Sequence, residues 1–245
     1  MKIKHLFLFC LLAWQNFAHA ADWSGYYGGL VGGGQSIKSD WKTNMLVPSE
    51  ISRYTVPIDT RTSTASFKST GPRVSLITGY NITLNQNWIV GAETDISFAD
   101  NKKIIAGIPG TTPVRRWPDS TSIRTTFGGS VRGKFGYSIY PDWLVYTTGG
   151  LAVIRSQTTE NCPHPGTWCG DATHIETYSK AMVGWTAGIG TETFINEHLI
   201  ARVEYRYSDY GSYTHTFLPP HTSDDNTATV RIKSAGLNFG LLYKF

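Results

Sequence analysis

From Ala235 to the C-terminus the chain alternates. Ala235, Leu237, Phe239, Leu241, Tyr243 and Phe245 are apolar, and Ser234, Gly236, Asn238, Gly240, Leu242 and Lys244 between them are mostly small or polar. A period of two marks a strand, because successive side chains point to opposite faces. One apolar and one small-polar face over about ten residues, ending on an aromatic, suits a strand that crosses a bilayer. The whole closing segment is Thr227 to Phe245, and Arg231 and Lys233 share the outward parity, so they are placed above the hydrocarbon.

The same pattern recurs upstream and predicts seven further strands. Strand one is placed at 23–36, where aromatics and glycines mix too freely to assign faces. Strand two, 70–84, sets Val74, Leu76, Thr78, Tyr80 and Ile82 against Arg73, Ser75, Ile77, Gly79 and Asn81. Strand three, 88–99, sets Val90, Ala92, Thr94, Ile96 and Phe98 against Gly91, Glu93, Asp95 and Ser97. Strand four, 121–139, turns Phe127, Val131, Phe135 and Tyr137 outward and Arg124, Ser130, Arg132 and Lys134 inward. Strand five, 143–156, is a strand by composition with ambiguous faces. Strand six, 178–195, and strand seven, 198–210, alternate again, the latter as Ala201, Val203, Tyr205 and Tyr207 against Arg202, Glu204, Arg206 and Ser208.

Connections at 85–87, 140–142 and 196–197 are tight; those at 37–68, 100–119, 157–177 and 211–226 are long. Long and short connections therefore alternate, as in an eight-stranded antiparallel transmembrane β-barrel with short periplasmic turns and four long extracellular loops. A soluble sandwich would also alternate. Here, however, the polar face mixes glycines with six cations and four anions: Arg73, Glu93, Asp95, Arg124, Arg132, Lys134, Glu192, Arg202, Glu204 and Arg206. Glycines make room for long neighbours inside a narrow barrel, and opposite charges can cross-pair there. The apolar face is free of charge in its central portions, as lipid demands. Trp23, Trp88, Trp143, Tyr207, Tyr243 and Phe245 near strand ends read as interfacial girdles.

Composition supports export and a membrane destination. Lys2 and Lys4, an apolar run from Leu6 to Trp14 and the small-x-small site Ala18-His19-Ala20 make residues 1–20 a cleaved signal peptide, leaving 21–245 as the barrel. Charged residues are 16% of the chain, below the roughly 25% of a soluble domain, while 25 Gly, 13 Tyr, 11 Phe and 8 Trp are present. Basic residues exceed acidic by 22 to 18, and two lysines leave with the leader; this surplus does not point to nucleic acid.

The candidate chemistry lies in the loops. Cys162 and Cys169 lie close together in a turn-rich stretch and read as a local disulfide in an oxidising compartment, with free thiols as the alternative. His164, His174, His215 and His221 fall in long loops; histidine is a normal haem ligand, so hemin is the one cofactor to consider, against four solvated side chains. Ser208, Asp209 and His215 lie near one rim, but no motif frames them as a triad, and no enzyme is expected.

The start DWSGYYGGLVGGG, the stretch GWTAGIGTETFINEHLIARVEYRYSDYG and the end LNFGLLYKF resemble the outer-membrane surface antigens of alphaproteobacteria. That group lies within the wider opacity-like, porin-family β-barrels and includes hemin-binding members. The resemblance implies an eight-stranded barrel in the Gram-negative outer membrane, surrounded by lipid and lipopolysaccharide, with no catalytic residues. It also implies that Phe245 is the signal read by the barrel-assembly machinery. The expected role is that of a surface protein whose loops meet host surface molecules or small ligands. A narrow channel is the other alternative, although eight strands enclose little more than their own side chains.

Overall fold

The computed structural model describes residues 22–46, 63–85, 87–110, 119–162, 173–217 and 226–245. The leader, Cys169, His164 and His221 lie outside these residues; for Cys162 and His174 only the backbone is described, the two standing opposite each other across a ladder.

Eight strands follow in order: β1 (Gly25–Leu46), β2 (Thr64–Thr83), β3 (Trp88–Ala106), β4 (Ser120–Tyr140), β5 (Trp143–Cys162), β6 (His174–Phe194), β7 (Leu199–Phe217) and β8 (Asn226–Lys244). Each is antiparallel to its neighbour, and β1 pairs with β8 to close the ring. The closing ladder runs from Tyr27 opposite Lys244 to Leu46 opposite Asn226.

The strands are 19 to 22 residues long, about twice the 9–11 that span a bilayer. Their lower halves present apolar side chains outward: Leu30, Leu76, Phe98, Val131, Leu151, Val183, Tyr205 and Phe239 are all exposed. Outward positions in the bands 26–34, 74–84, 88–98, 127–139, 143–153, 183–195, 199–207 and 235–245 carry no charged residue. These bands are the membrane-spanning segments. Trp88, Trp143, Tyr243 and Phe245 stand at their lower edge. Trp23 does not join this girdle. It is buried, packs against Phe194 at 4.5 Å, and its indole donates to the Pro141 carbonyl at 3.0 Å.

Above the bands the amphipathy inverts. Outward positions become polar, as in Ser36, Lys38, Asp40 and Lys42, while Ile37, Trp41, Phe67, Phe217, Val230 and Ile232 point inward and form an apolar core. A second apolar cluster, with Tyr27, Ile89, Leu144, Ile200 and Leu242, closes the lower end. The stretches 37–46, 64–68, 100–106, 157–162, 174–177 and 211–217, expected as loops, are therefore strand. Their inward apolar residues are spaced too sparsely among Ser, Thr and Lys to announce a sheet. The ambiguity of β5 has the same origin: Leu144 and Tyr146 enter the lower cluster and Ile154 the upper one, so both of its faces read as apolar.

The wall is not continuous to the top. Pairing between β2 and β3 ends at Arg73 opposite Ala99, and pairing between β6 and β7 ends at Trp185 opposite Asp209. Beyond these points each strand keeps its other neighbour, up to Thr64, Ala106, His174 and Phe217 respectively. A bulge over Asp209 to Ser212, with Gly211 at φ 73°, bends β7 away from β6. Two seams thus divide the upper barrel into a β3–β6 half and a β7–β8–β1–β2 half.

Candidate functional site

Inward positions at membrane depth bring nine of the ten candidate charges together. Arg73, Arg132, Lys134, Arg202 and Arg206 face Glu93, Asp95, Glu192 and Glu204, all buried. Arg132 on β4 reaches Glu93 at 2.5 Å through Nη2 and Glu204 at 2.7 Å through Nη1. Arg202 on β7 donates Nη1 to Glu93 Oε2 at 2.8 Å and Nη2 to Glu93 Oε1 at 3.0 Å, and also reaches Glu204. Arg206 bridges Asp95 and Glu204, each at 2.8 Å, and Arg73 reaches Asp95 at 3.2 Å. Lys134 holds Glu192 at 2.6 Å and lies 4.6 Å from the ring centroid of Tyr146. Tyr27 donates to Glu93 at 2.9 Å and Tyr146 to Glu204 at 3.1 Å. Carboxylates bridged by several guanidiniums form a network in which each charge has a partner, the condition for keeping ions out of water.

Arg124 is the exception. It lies on the outer surface, 45% exposed, with Nε 2.6 Å and Nη2 2.7 Å from the Asp100 carboxylate. Register shifts between Thr125 and Gly128 on β4, and between Phe98 and Asn101 on β3, reverse the parity, so a count upward from Arg132 gives it the wrong face. Its hydrogen bonds hold the Asp100 carboxyl below the ordinary range.

The glycines of the inner face accept neighbouring rings. A Cβ on Gly79 would come within 2.5 Å of the Tyr27 ring, its cross-strand partner, and one on Gly190 within 2.5 Å of the Tyr146 hydroxyl. A cavity among Gln35, Arg73, Ser97, Thr125 and Tyr210 measures about 10 Å³, about the volume that one water needs.

At the upper end, side chains rather than backbone bridge the β6–β7 seam. His215 on β7 stacks on Tyr178 of β6, with centroids 3.6 Å apart, and its Nε2 lies 2.9 Å from Glu176 Oε1. Tyr178 also meets Phe217, which stacks on Trp41 at 5.5 Å. Beside them Glu160 is fully buried and accepts from Asn226 Nδ2 at 2.6 Å; burial, with Glu176 opposite on β6, pushes its carboxyl well above the usual range. The sequence signal for Glu160 was absent, because a lone Glu among threonines looks solvated.

The three rim residues that could have formed a triad are not brought together. Ser208 donates to Thr186, Asp209 binds Arg231 and the Gly211 amide, and His215 pairs with Glu176. Among the described residues no group of three His, Cys, Asp or Glu side chains is arranged to hold a metal.

The closed antiparallel ring agrees with the family comparison. A model of the outer membrane protein β-barrel domain matches residues 6–245. The chain belongs to that family. It is 32% identical over 174 residues to the 31 kDa outer-membrane immunogenic protein of Brucella melitensis, covering 68% of this chain and 63% of that one. It is 31% identical over 137 residues to the 22 kDa outer membrane protein of Rhizobium leguminosarum, covering 56% of this chain and 52% of that one. The alignments thus leave more than a third of these relatives' own length unmatched. Among solved structures, the outer membrane protease OmpT of Escherichia coli aligns over 94% of this chain and 99% of its own, with a TM-score of 0.54 at 9% identity. That likeness is one of fold. The chain is an outer-membrane β-barrel similar to an outer-membrane immunogenic protein of Brucella and an outer membrane protein of Rhizobium.

Proposed function

We propose that this barrel is a non-enzymatic surface protein whose membrane part is a plugged anchor and whose extracellular rim and loops make contact with molecules outside the cell, host surfaces among them. The observation that carries the reading is strand length. Between a third and just over half of each strand stands above the lipid-facing band, with an apolar core of its own around Trp41, Phe217 and Ile232. A protein that only needed an anchor would end its strands near the headgroups. Building an upper storey carries the described strand ends away from the membrane, and surface segments on such a scaffold commonly hold binding sites. The names of the Brucella relatives, which describe immunogenic outer-membrane proteins, support exposure of this kind.

The test replaces each of the segments 47–62, 111–118, 163–172 and 218–225 with a short Gly-Ser linker in cells displaying the barrel. Whole-cell binding to host-cell monolayers and to antisera against intact cells is then measured. Loss of binding in at least one replacement with unchanged heat-modifiable mobility is the expected result. Full binding in all four, or labelling of an introduced loop cysteine only after permeabilisation, would refute it. A channel is the reading disfavoured by the ionic plug, and planar-bilayer recording checks it: stable conductance steps from the native chain would restore it.

A further inference from the structure

The register of β2, β1 and β8 lines up three lysines on the outer surface. Lys38 stands directly opposite Lys68 on one side and Lys233 on the other. All three project from the outer face, and Lys38 is 48% and Lys233 32% exposed. Like charges directly opposite on neighbouring strands repel, so such a row is unfavourable in isolation. The acids nearby do not cancel it. Asp40 lies 3.0 Å from Lys38; Asp209 lies 3.8 Å from Lys233 but is held more closely by Arg231 at 2.6 Å. Four cations therefore share two carboxylates, and Lys68 has no acidic partner within bridging distance among the described residues.

The height of the row says what would complete it. Leu237, opposite Gly34, is the last large apolar residue of the band on these strands, and Lys233 stands four residues higher. At about 3.4 Å per residue, and with the strand tilt of a barrel, that is on the order of 10 Å above the hydrocarbon edge. The headgroup layer extends about 5–8 Å beyond the hydrocarbon, and lysine stems reach back toward it along the wall. Ser36, Thr70 and Ala235, the small residues immediately below the row, leave a shallow bay for a headgroup.

We propose that Lys38, Lys68 and Lys233, with Arg231 beside them, form a binding site for the phosphate groups of an anionic outer-leaflet glycolipid. The site depends on the outer-membrane placement but not on what the loops bind. Phosphates between the ammonium groups turn the repulsion into attraction, and the lipid's chains lie on the apolar band formed below by Leu30, Leu237 and Phe239. The charged row stands directly above that apolar band on the same three strands, which is why a membrane lipid, rather than a soluble sulfated glycan, is the assigned occupant.

The test uses the full-length protein folded in detergent with bisphosphorylated lipid A as the probe. Three proteins are compared: native, the K38Q/K68Q/K233Q variant, and a K102Q/R155Q/K180Q variant that removes the same charge elsewhere on the upper wall. Lipid A retained after gel filtration is measured by mass spectrometry, and folding is checked by heat-modifiable mobility. The row variant is expected to retain at least fivefold less lipid A, while the control retains the native amount. In phosphatidylcholine alone the row variant should unfold no earlier than the native chain. Should the triple variant fold poorly, Lys68→Gln alone should give a partial loss. Native-level retention by the row variant, or an equal fall in both variants, would overturn the proposal. So would loss of heparin binding with lipid A retention unchanged, which would assign the row to a glycan. Absence of the native chain from the outer-membrane fraction would count against the placement itself, a separate failure.

Discussion

Arg202 on β7 grips Glu93 on β3 through two parallel hydrogen bonds of 2.8 and 3.0 Å, across the full width of the lumen. The two strands are four places apart in a ring of eight, so they face each other. The contact is a crossbeam. Removing Arg202 leaves Glu93 to Arg132 and the Tyr27 hydroxyl, so the ion stays paired and the cost is that of the lost charge-assisted hydrogen bonds, about 1.5–3 kcal/mol. Arg202→Ala should lower the free energy of urea-induced unfolding in lipid vesicles by that amount. A change below about 1 kcal/mol would show that water enters and replaces the guanidinium.

Gly79 should not tolerate a methyl group. A Cβ there would lie 2.5 Å from the Tyr27 ring and 2.8 Å from the Ala92 carbonyl oxygen. Gly79→Ala is expected to cost about 1–3 kcal/mol through overpacking. Adding Tyr27→Leu should recover only part of this, because the carbonyl contact persists. Full recovery in equilibrium unfolding of the double variant would place the whole conflict in the ring.

Glu160 gives the stability a defined pH dependence. Its folded carboxyl titrates above the usual value because burial disfavours the anion. With the folded pKa raised, the native state holds the proton more tightly. Glu160 costs nothing below the unfolded value near 4.5 and destabilises progressively as pH rises above it, levelling off beyond the folded pKa. Glu160→Gln should therefore raise the unfolding temperature at pH 8 and leave it unchanged at pH 4. A variant with equal gain at both values would remove titration as the cause.

His215 is engaged by Tyr178 and Glu176, and iron would have to displace that carboxylate. A hemin titration of His215→Ala is expected to match the native chain in the Soret region. A diminished Soret band in the variant would instead make His215 a ligand.

Phe245 is the most exposed large apolar residue of the lower edge, 78% exposed, and its ring meets Tyr243 edge-on at 5.2 Å. Deleting it removes little packing. The deletion should cut the amount reaching the outer membrane several-fold while the purified chain, refolded from urea, unfolds at an unchanged midpoint. Normal membrane yield would dismiss the terminal aromatic as an assembly signal.

Strand number, topology and lumen charges were legible because lipid enforces a strict alternation: Val203, Tyr205 and Tyr207 outside, Arg202, Glu204 and Arg206 inside. The alternation rule also shows why the rest was hidden. Above the lipid, Lys38 and Asp40 replace Leu30 outside, and only the occasional Ile37 or Trp41 signals the inner face, so these strand ends read as loop in the sequence. A count of two puts Arg124 on the inner face because it cannot register the bulges above Gly128 and Phe98. Trp23 looked like a girdle residue because an aromatic at a strand end can either anchor in the interface or cap the lumen, and only the packing against Phe194 decides it.

The two places where the upper wall lacks a backbone ladder, after Arg73 on β2 and after Trp185 on β6, are diametrically opposed. A ring interrupted at opposite points loses its resistance to flattening along one axis and keeps it along the other. Across these two seams the halves are joined by side chains, His215 on Tyr178 at one and the Ser69 hydroxyl donating to the Lys102 carbonyl at the other. The crossbeams below hold the base fixed. Whatever docks above therefore meets two walls, β3–β6 and β7–β8–β1–β2, whose only ties at this height are side chains among the described residues.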